Sequence, residues 1–392
     1  MRTIAYLSYP HFADCDLPLL HHLQQLEPGL IYILQLTEKD KQRTIINVGQ
    51  LKKKGAVYPA DEYPELRMLA TWLDMRRVFV LNMPGLHDFS WANLMAVIRL
   101  CRFLRRRRCS LLHFTWPLRY GAFPLYAFRR KMLLTVHDPL PHSSETGALN
   151  RFHRWVAFRM VPRFLLLNTT QRAAFMSQNK LTADRVFSSR LSIYIHLKDT
   201  VPVLPASSGY VLFVGGISSH KGVDILCEAM RQVHQSHPRM KLVVAGSGKL
   251  YFDPAPYLQA GFLELHNRYL SDAELKGFIQ QAAFVVCPYR DATQSGVIMS
   301  AFALAKPVIA TSVGALAEMV EDGRHGLIVP PADSSALAEA IVRLSASDAL
   351  LEKMRENILA DYHSGSRSWE HIAAGLQHIY SLPLFVANTP HT

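Results

Sequence analysis

No run of eighteen or more apolar residues occurs in the sequence, so no membrane-spanning helix is expected. Its first residues, MRTIAYLSYP, lack the charged-then-apolar layout of a signal peptide. Cysteine is scarce. Cys15, Cys101, Cys109, Cys227 and Cys287 are odd in number and scattered through apolar segments, without zinc-ligand spacing. Buried, reduced thiols in a cytoplasmic protein are therefore expected. The spacing of a G-x4-G-K-S/T phosphate loop is absent, as are nucleic-acid-binding motifs and low-complexity segments.

What is present is ordinary in amount and uneven in place. The 392 residues are half apolar and long enough for two domains. Residues 1–200 hold 29 Lys+Arg against 14 Asp+Glu, whereas residues 201–392 hold 14 against 17. The basic excess belongs wholly to the first half. That half is expected to face something anionic, either a membrane surface or a lipid-linked pyrophosphate; nucleic acid has no motif to support it.

The first half reads as a doubly wound α/β sheet. IAYLSY (4–9), IYILQL, VFVLNM, LLHFTW, KMLLTVHD and RFLLLN read as strands, with helical segments between most of them. WANLMAVIRLCRFLRRRRC (91–109) reads as a helix with an apolar stripe of Trp91, Leu94, Met95, Ile98, Leu100, Cys101 and Leu104. Arg99, Arg102 and Arg105 to Arg108 crowd its end. One reading is a core helix whose arginines suit the helix dipole; the other is a rim that docks on anionic lipid. A buried strand delivers His137 to its carboxyl end, where Pro139 and Pro141 stop regular structure. His137 is a candidate site residue, with a hydrogen-bonded core histidine as the alternative; His142 and His113 read as structural.

KDTVPVLPASSG (198–209) reads as a linker, which places domains at 1–202 and 203–365. The second begins YVLFVGGISSHKG, a strand and then a glycine loop carrying Gly215, Gly216 and Lys221. Gly246 follows the strand KLVVA. Ser271 with Glu274 forms a capping box behind the loop of Tyr269 and Leu270. Residues 288–331, PYRDATQSGVIMSAFALAKPVIATSVGALAEMVEDGRHGLIVPP, read as loop, helix, strand, loop, helix, turn, strand. Ligands of parallel sheets sit beyond the carboxyl ends of the strands, where glycines admit the ligand and helix N-termini face anions. The loops at 291–296 and 312–315 are of this kind.

The run AFALAKPVIATSVGALAEMVEDGRHGLIVPPAD resembles the nucleotide-sugar half of retaining GT-B glycosyltransferases of family 4. The resemblance implies two Rossmann-like domains facing a cleft, with residues 366–392 crossing back to the first. It implies sugar transfer from a nucleoside-diphosphate sugar to an acceptor hydroxyl, in bacterial surface polysaccharide or glycolipid synthesis. Lys221 matches the family's diphosphate-binding lysine, and His137 its strand-end histidine beside the donor sugar. Gly215, Gly216, Gly246, Tyr269, Leu270, Thr293, Gln294, Ser295, Gly296 and Ser300 fall at its donor-binding positions. No metal or other cofactor is implied, because Lys221 and helix dipoles carry the leaving-group charge. The expected partners are a nucleotide-sugar donor, a lipid-linked or glycan acceptor and peripheral contact with the inner face of an anionic membrane. The chain departs from the pattern at three positions. Gly216 replaces an arginine, while Ala292 and Ser300 replace the two glutamates of E-x7-E. These losses keep two other readings open: a non-catalytic GT-B partner or nucleotide-sugar-binding protein, and a nucleotide-sugar epimerase.

Overall fold

The computed structural model describes residues 2–37, 46, 54–85, 90–117, 120–139, 148–198 and 209–386. His142, most of the expected linker and residues 387–392 of the expected tail lie outside them. The chain forms two compact units, Met1–Leu191 with Trp369–Thr392, and Ser192–Ser368.

The first unit is built on a sheet of β1 (Thr3–Ser8), β2 (Leu30–Leu36), β3 (Val57–Pro59), β4 (Val78–Asn82), β5 (Cys109–Phe114), β6 (Met132–Val136), β7 (Arg163–Leu166) and β8 (Val186–Ser188). Their order is β3-β4-β2-β1-β5-β6-β7-β8. Neighbours run parallel except at β3, which pairs antiparallel with β4 along the edge. The central strands are apolar and buried throughout, as strands covered on both faces must be. The two edge strands are short and half-exposed, so they carry little apolar pattern.

The helix Trp91–Arg106 buries Asn93, Ala96, Val97, Leu100, Cys101 and Leu104. That face is rotated from the expected stripe: Trp91 is 73% exposed, and Leu94, Met95 and Ile98 are only half-buried. The reason is phase. Trp91 lies two positions before Asn93, about half a turn away at 3.6 residues per turn. The helix stops before the arginine run ends, with the Arg107 guanidinium 4.5 Å from the Phe79 ring centroid. The last long helix, Trp369–Ser381, packs on Ala13–Leu26 of the first unit. Arg2 donates to the Tyr380 carbonyl at 2.7 Å, and the Tyr380 hydroxyl meets His113 Nδ1. The C-terminal segment therefore belongs to the first unit.

The second unit is built on β9 (Tyr210–Val214), β10 (Leu242–Ala245), β11 (Leu263–His266), β12 (Ala282–Cys287), β13 (Val308–Thr311) and β14 (Gly326–Val329). All are parallel, in the order β11-β10-β9-β12-β13-β14. Within this unit that is the 3-2-1-4-5-6 order of a dinucleotide-binding fold. The unit begins at Ser192, ahead of the boundary read at 203, because Ile193 and Leu197 sit in its core. Tyr194 N–H also donates to the Met299 carbonyl.

Candidate functional site

The strand order of the second unit reverses between β9 and β12. The loops leaving these two strands, 215–222 and 288–295, meet over the reversal. Their contact is backbone against backbone. Gly222 has φ +66°, and a Cβ there would lie 2.0 Å from the Pro288 carbonyl oxygen, so only glycine fits. Arg290 N–H donates to the His220 carbonyl at 2.8 Å, and its Nη1 donates to the Ser219 carbonyl at 2.7 Å. The same guanidinium grips Asp224 through two bonds of 2.8 and 2.6 Å, and Asp224 also accepts from the Tyr251 hydroxyl.

This staple holds Lys221 in place. Its ammonium sits 3.7 Å from the centroid of the fully buried Tyr289 ring. Burial lowers its pKa, with the neighbouring Cys287 acting the other way. No carboxylate pairs with it among the described residues. A desolvated cation resting on a π face, without a counter-charge, is an anion site by its chemistry.

The second loop leads into the helix Gly296–Ala303. Ser295 caps it by accepting from Ile298 N–H, and the Tyr289 hydroxyl lies 3.2 Å from the Ser295 oxygen. The platform under Lys221 and the cap of this helix are thus one hydrogen-bonded unit. Thr293 is buried, and its carbonyl accepts from Ala315 N–H at 3.1 Å. Ser300 is 3% exposed, and its hydroxyl donates to the Gly296 carbonyl one turn back at 2.9 Å. Gly215 and Gly246 lie together where β9 and β10 end: a Cβ on Gly246 would come 2.0 Å from the Gly215 carbonyl oxygen. Gly216 is exposed beside them. Tyr269 follows edge strand β11 and is 80% exposed, with Leu270 half-buried next to it.

His137 belongs to the first unit, whose order reverses between β1 and β5. It follows β6 and stacks on Phe12, which follows β1, at 4.0 Å and 12°. Trp116, following β5, lies 5.9 Å from Phe12. The buried His137 Nε2 has no hydrogen-bond partner among the described residues, and burial lowers the imidazole pKa to about 4. The ring is neutral at physiological pH, with one polar atom unused. His113 instead bonds both Tyr380 and Thr135 and is structural.

Two groups invite a metal reading. The sequence was expected to hold no D-x-D run, yet Asp14-Cys15-Asp16 is one; Asp16 is buried and accepts from Tyr6 and Ser8. Glu321, His325 and Asp361 bring ligand atoms within 4.8 Å of one another. The Asp361 carboxylate is already held by Arg324 at 2.7 and 2.8 Å and by His325 at 2.8 Å. Arg324 keeps its pKa at about 2, and the knot is an ion-paired junction.

Residues 208–347 match the family model described as glycosyl transferases group 1. Over these residues the chain is similar to that family. An uncharacterized glycosyltransferase of Methanocaldococcus jannaschii is 34% identical over 172 residues, 43% of this chain and 47% of that protein. A phosphatidyl-myo-inositol mannosyltransferase of Mycobacterium leprae is 29% identical over 194 residues, 46% of this chain and 50% of that protein. The chain thus spans about half the length of the curated relatives it matches. Among solved structures, sucrose-phosphate synthase of Thermosynechococcus elongatus superposes with a TM-score of 0.67 at 18% identity, over 99% of this chain and 100% of that one. Anabaena HepE in complex with UDP gives 0.64 at 16%, over 97% and 99%. At these identities the likeness is one of fold, the two Rossmann-like units of GT-B glycosyltransferases.

Within residues 208–347, sequence reasoning missed Tyr289 and Arg290. Tyr289 carries Lys221, and Arg290 ties down its loop. Both directly follow Pro288 at a strand's carboxyl end, a position that could have marked them. In the first unit it missed Phe12 and Trp116 beside His137.

Proposed function

We propose that the protein is a retaining glycosyltransferase that moves a sugar from a nucleoside-diphosphate sugar to an acceptor hydroxyl in surface polysaccharide or glycolipid synthesis. One observation carries this reading: the half-buried Lys221 ammonium over Tyr289, with no carboxylate paired to it among the described residues, on the ring whose hydroxyl meets the Ser295 cap of the helix Gly296–Ala303. The β-phosphate of the donor would sit against these groups, which strengthen their hold as the leaving oxygen gains charge. The bond from the anomeric carbon to the phosphate oxygen breaks, with its electron pair going to the diphosphate. The acceptor oxygen bonds that carbon from the same face, and its proton passes to the departing phosphate oxygen. Lys221 and the helix dipole carry the charge, so the reading includes no metal. In the first unit, His137 would offer to a sugar hydroxyl the Nε2 that has no partner among the described residues. The relatives' transferase names and the fold neighbour binding UDP support the donor class. The basic first half supports an acceptor presented at the inner face of an anionic membrane, in the cytoplasm.

The test is a calorimetric panel of UDP- and GDP-sugars, followed by product analysis with the tightest donor. Binding with turnover and a product of unchanged anomeric configuration is expected. Binding without turnover favours the non-catalytic reading, and conversion of the free donor sugar to its epimer favours the epimerase.

A further inference from the structure

We propose that the outer face of the helix Ala148–Met160 is the surface by which the first unit docks on an anionic phospholipid bilayer, and that the cavity beside it receives a headgroup phosphate. The inference rests on the membrane-facing part of the reading above and names its surface. At 3.6 residues per turn, Arg151, Phe152, Trp155 and Arg159 fall within about 100° of one another. All four are exposed, whereas His153 and Ala157 on the other side are buried. Phe152 and Trp155 stack at 6.1 Å and 24°, and the Arg159 guanidinium lies 5.1 Å from the Trp155 ring centroid. Met160 is exposed at the helix end, off this face. A face that alternates arginine with large rings, standing in water, suits the boundary between headgroups and acyl chains, where rings insert and cations meet phosphates.

The cavity, about 530 Å³, opens beside this face between Trp155, Phe158, Arg159, Asn179, Lys180 and Arg185. No carboxylate lines it. Arg185 is fixed from behind by the carbonyls of Pro162 and Val161, at 2.6 and 3.0 Å. Lys180 ends the helix Arg172–Asn179 with φ +53°, a conformation in which glycine or asparagine costs less. A cation thus stands where the backbone favours glycine or asparagine. Asp184, next to Arg185 in sequence, is bonded to Thr182 and lies beside Arg163 and Arg185. The Arg105 to Arg108 run lacks this pairing of charge with inserting rings. Arg107 lies over Phe79 and Phe103, and the exposed Trp91 is at the opposite end of that helix.

The experiment sediments the full chain with vesicles of phosphatidylcholine alone and of phosphatidylcholine mixed with phosphatidylglycerol. Trp155 is then read by brominated-lipid quenching, as the difference between the wild type and Trp155→Phe. The wild type should bind only the anionic vesicles. Phe152→Gln with Trp155→Gln should weaken that binding about tenfold or more, and Arg159→Gln with Lys180→Gln should weaken it and flatten its salt dependence. Melting temperatures and nucleotide-sugar binding should stay at wild-type values in each variant. If the wild type binds anionic vesicles while Trp155 stays unquenched and the paired variants bind as well as it does, this surface is wrong and the membrane reading stands. If the wild type ignores anionic vesicles, both fail while the donor reading survives. Stronger binding of an acidic peptide or a duplex at these same residues overturns the bilayer as occupant.

Discussion

Lys221→Met tests the donor site most directly, because it keeps the apolar stem on Tyr289 and removes only the charge. A unit charge about 4 Å from a phosphate oxygen interacts by about 4 kcal/mol at an effective dielectric of 20. Removing one preorganised donor to a developing oxyanion typically costs about 2.7–4 kcal/mol, or 10²–10³ in kcat. Both arguments predict a loss of about 10²–10³ in kcat/KM, read by nucleotide release with whichever donor the calorimetric panel selects. Lys221→Ala should lose as much, and Lys221→Arg should recover little, since a planar head cannot sit as the ammonium does. The pH dependence has a definite sign. Burial holds the free ammonium below its ordinary pKa, and a bound diphosphate raises it again. Donor binding therefore takes up a proton at alkaline pH, and affinity falls as pH rises through the lowered pKa, earlier than for a solvated lysine. Lys221→Met that folds normally and keeps kcat/KM within a factor of about three, well short of the tenfold that 1.4 kcal/mol represents, would remove the charge from the mechanism.

Arg290→Ala should weaken donor binding about tenfold by releasing the 218–222 loop and leaving Asp224 uncompensated; Asp224→Asn in the same chain should restore part of it, as titration calorimetry would show. Ser300→Glu should lower the melting temperature without tightening nucleotide binding, because a carboxylate at a 3% exposed position has no partner waiting there; a tighter complex with unchanged melting would refute that. Burial raises the Asp16 pKa to about 7, so the folded chain binds more protons there than the unfolded chain between its ordinary value and 7, and stability falls as pH rises through that window. Burial lowers His113 to about 3 and His137 to about 4, which makes stability rise with pH up to their ordinary values. Asp16→Asn removes only the first slope, and its melting temperature should gain on the wild type at pH 8 and match it near pH 4.

The second unit was legible because its strands are short, continuous apolar runs set off by glycine and proline. Ser271 with Glu274 is a capping box in the structure as in the sequence. The match over residues 208–347 covers the stretch from which the resemblance was drawn. What stayed hidden was whatever depends on contact between distant segments. Nothing in the sequence joins Arg290 to Asp224 and Ser219, its partners in the fold. Tyr380 carried no signal beyond its helical phase, yet it ties the last helix to His113. Trp91 was placed on the apolar stripe by helical spacing, and its helix buries the face about half a turn away. The strands β3 and β8 were missed because three-residue edge segments lack periodicity.

The absent glutamates at 292 and 300 are the strongest argument for a non-catalytic protein, and the construction of the loop bears on their weight. A loop released from its function would be free to lose the costly backbone arrangement around it. Here a Cβ on Gly314, with φ +52°, would lie 1.7 Å from the Ala292 carbonyl oxygen, and Ala315 N–H donates to Thr293. The alanine at 292 thus stands where two loops touch through their backbones. Ser300 has turned its proton inward to Gly296, one turn from the Ser295 cap, and Ser295 lies against the tyrosine that carries Lys221. Where the resemblance sets two glutamates, the structure has a continuous chain of contacts that ends on a cation with no carboxylate partner among the described residues. Two carboxylates in this position would grip ribose and sugar hydroxyls but would also repel a diphosphate held nearby. Their loss moves the balance of donor binding from the sugar toward the diphosphate. Such a site should hold a bare nucleoside diphosphate nearly as tightly as the sugar-bearing donor, and a family member with both carboxylates should not.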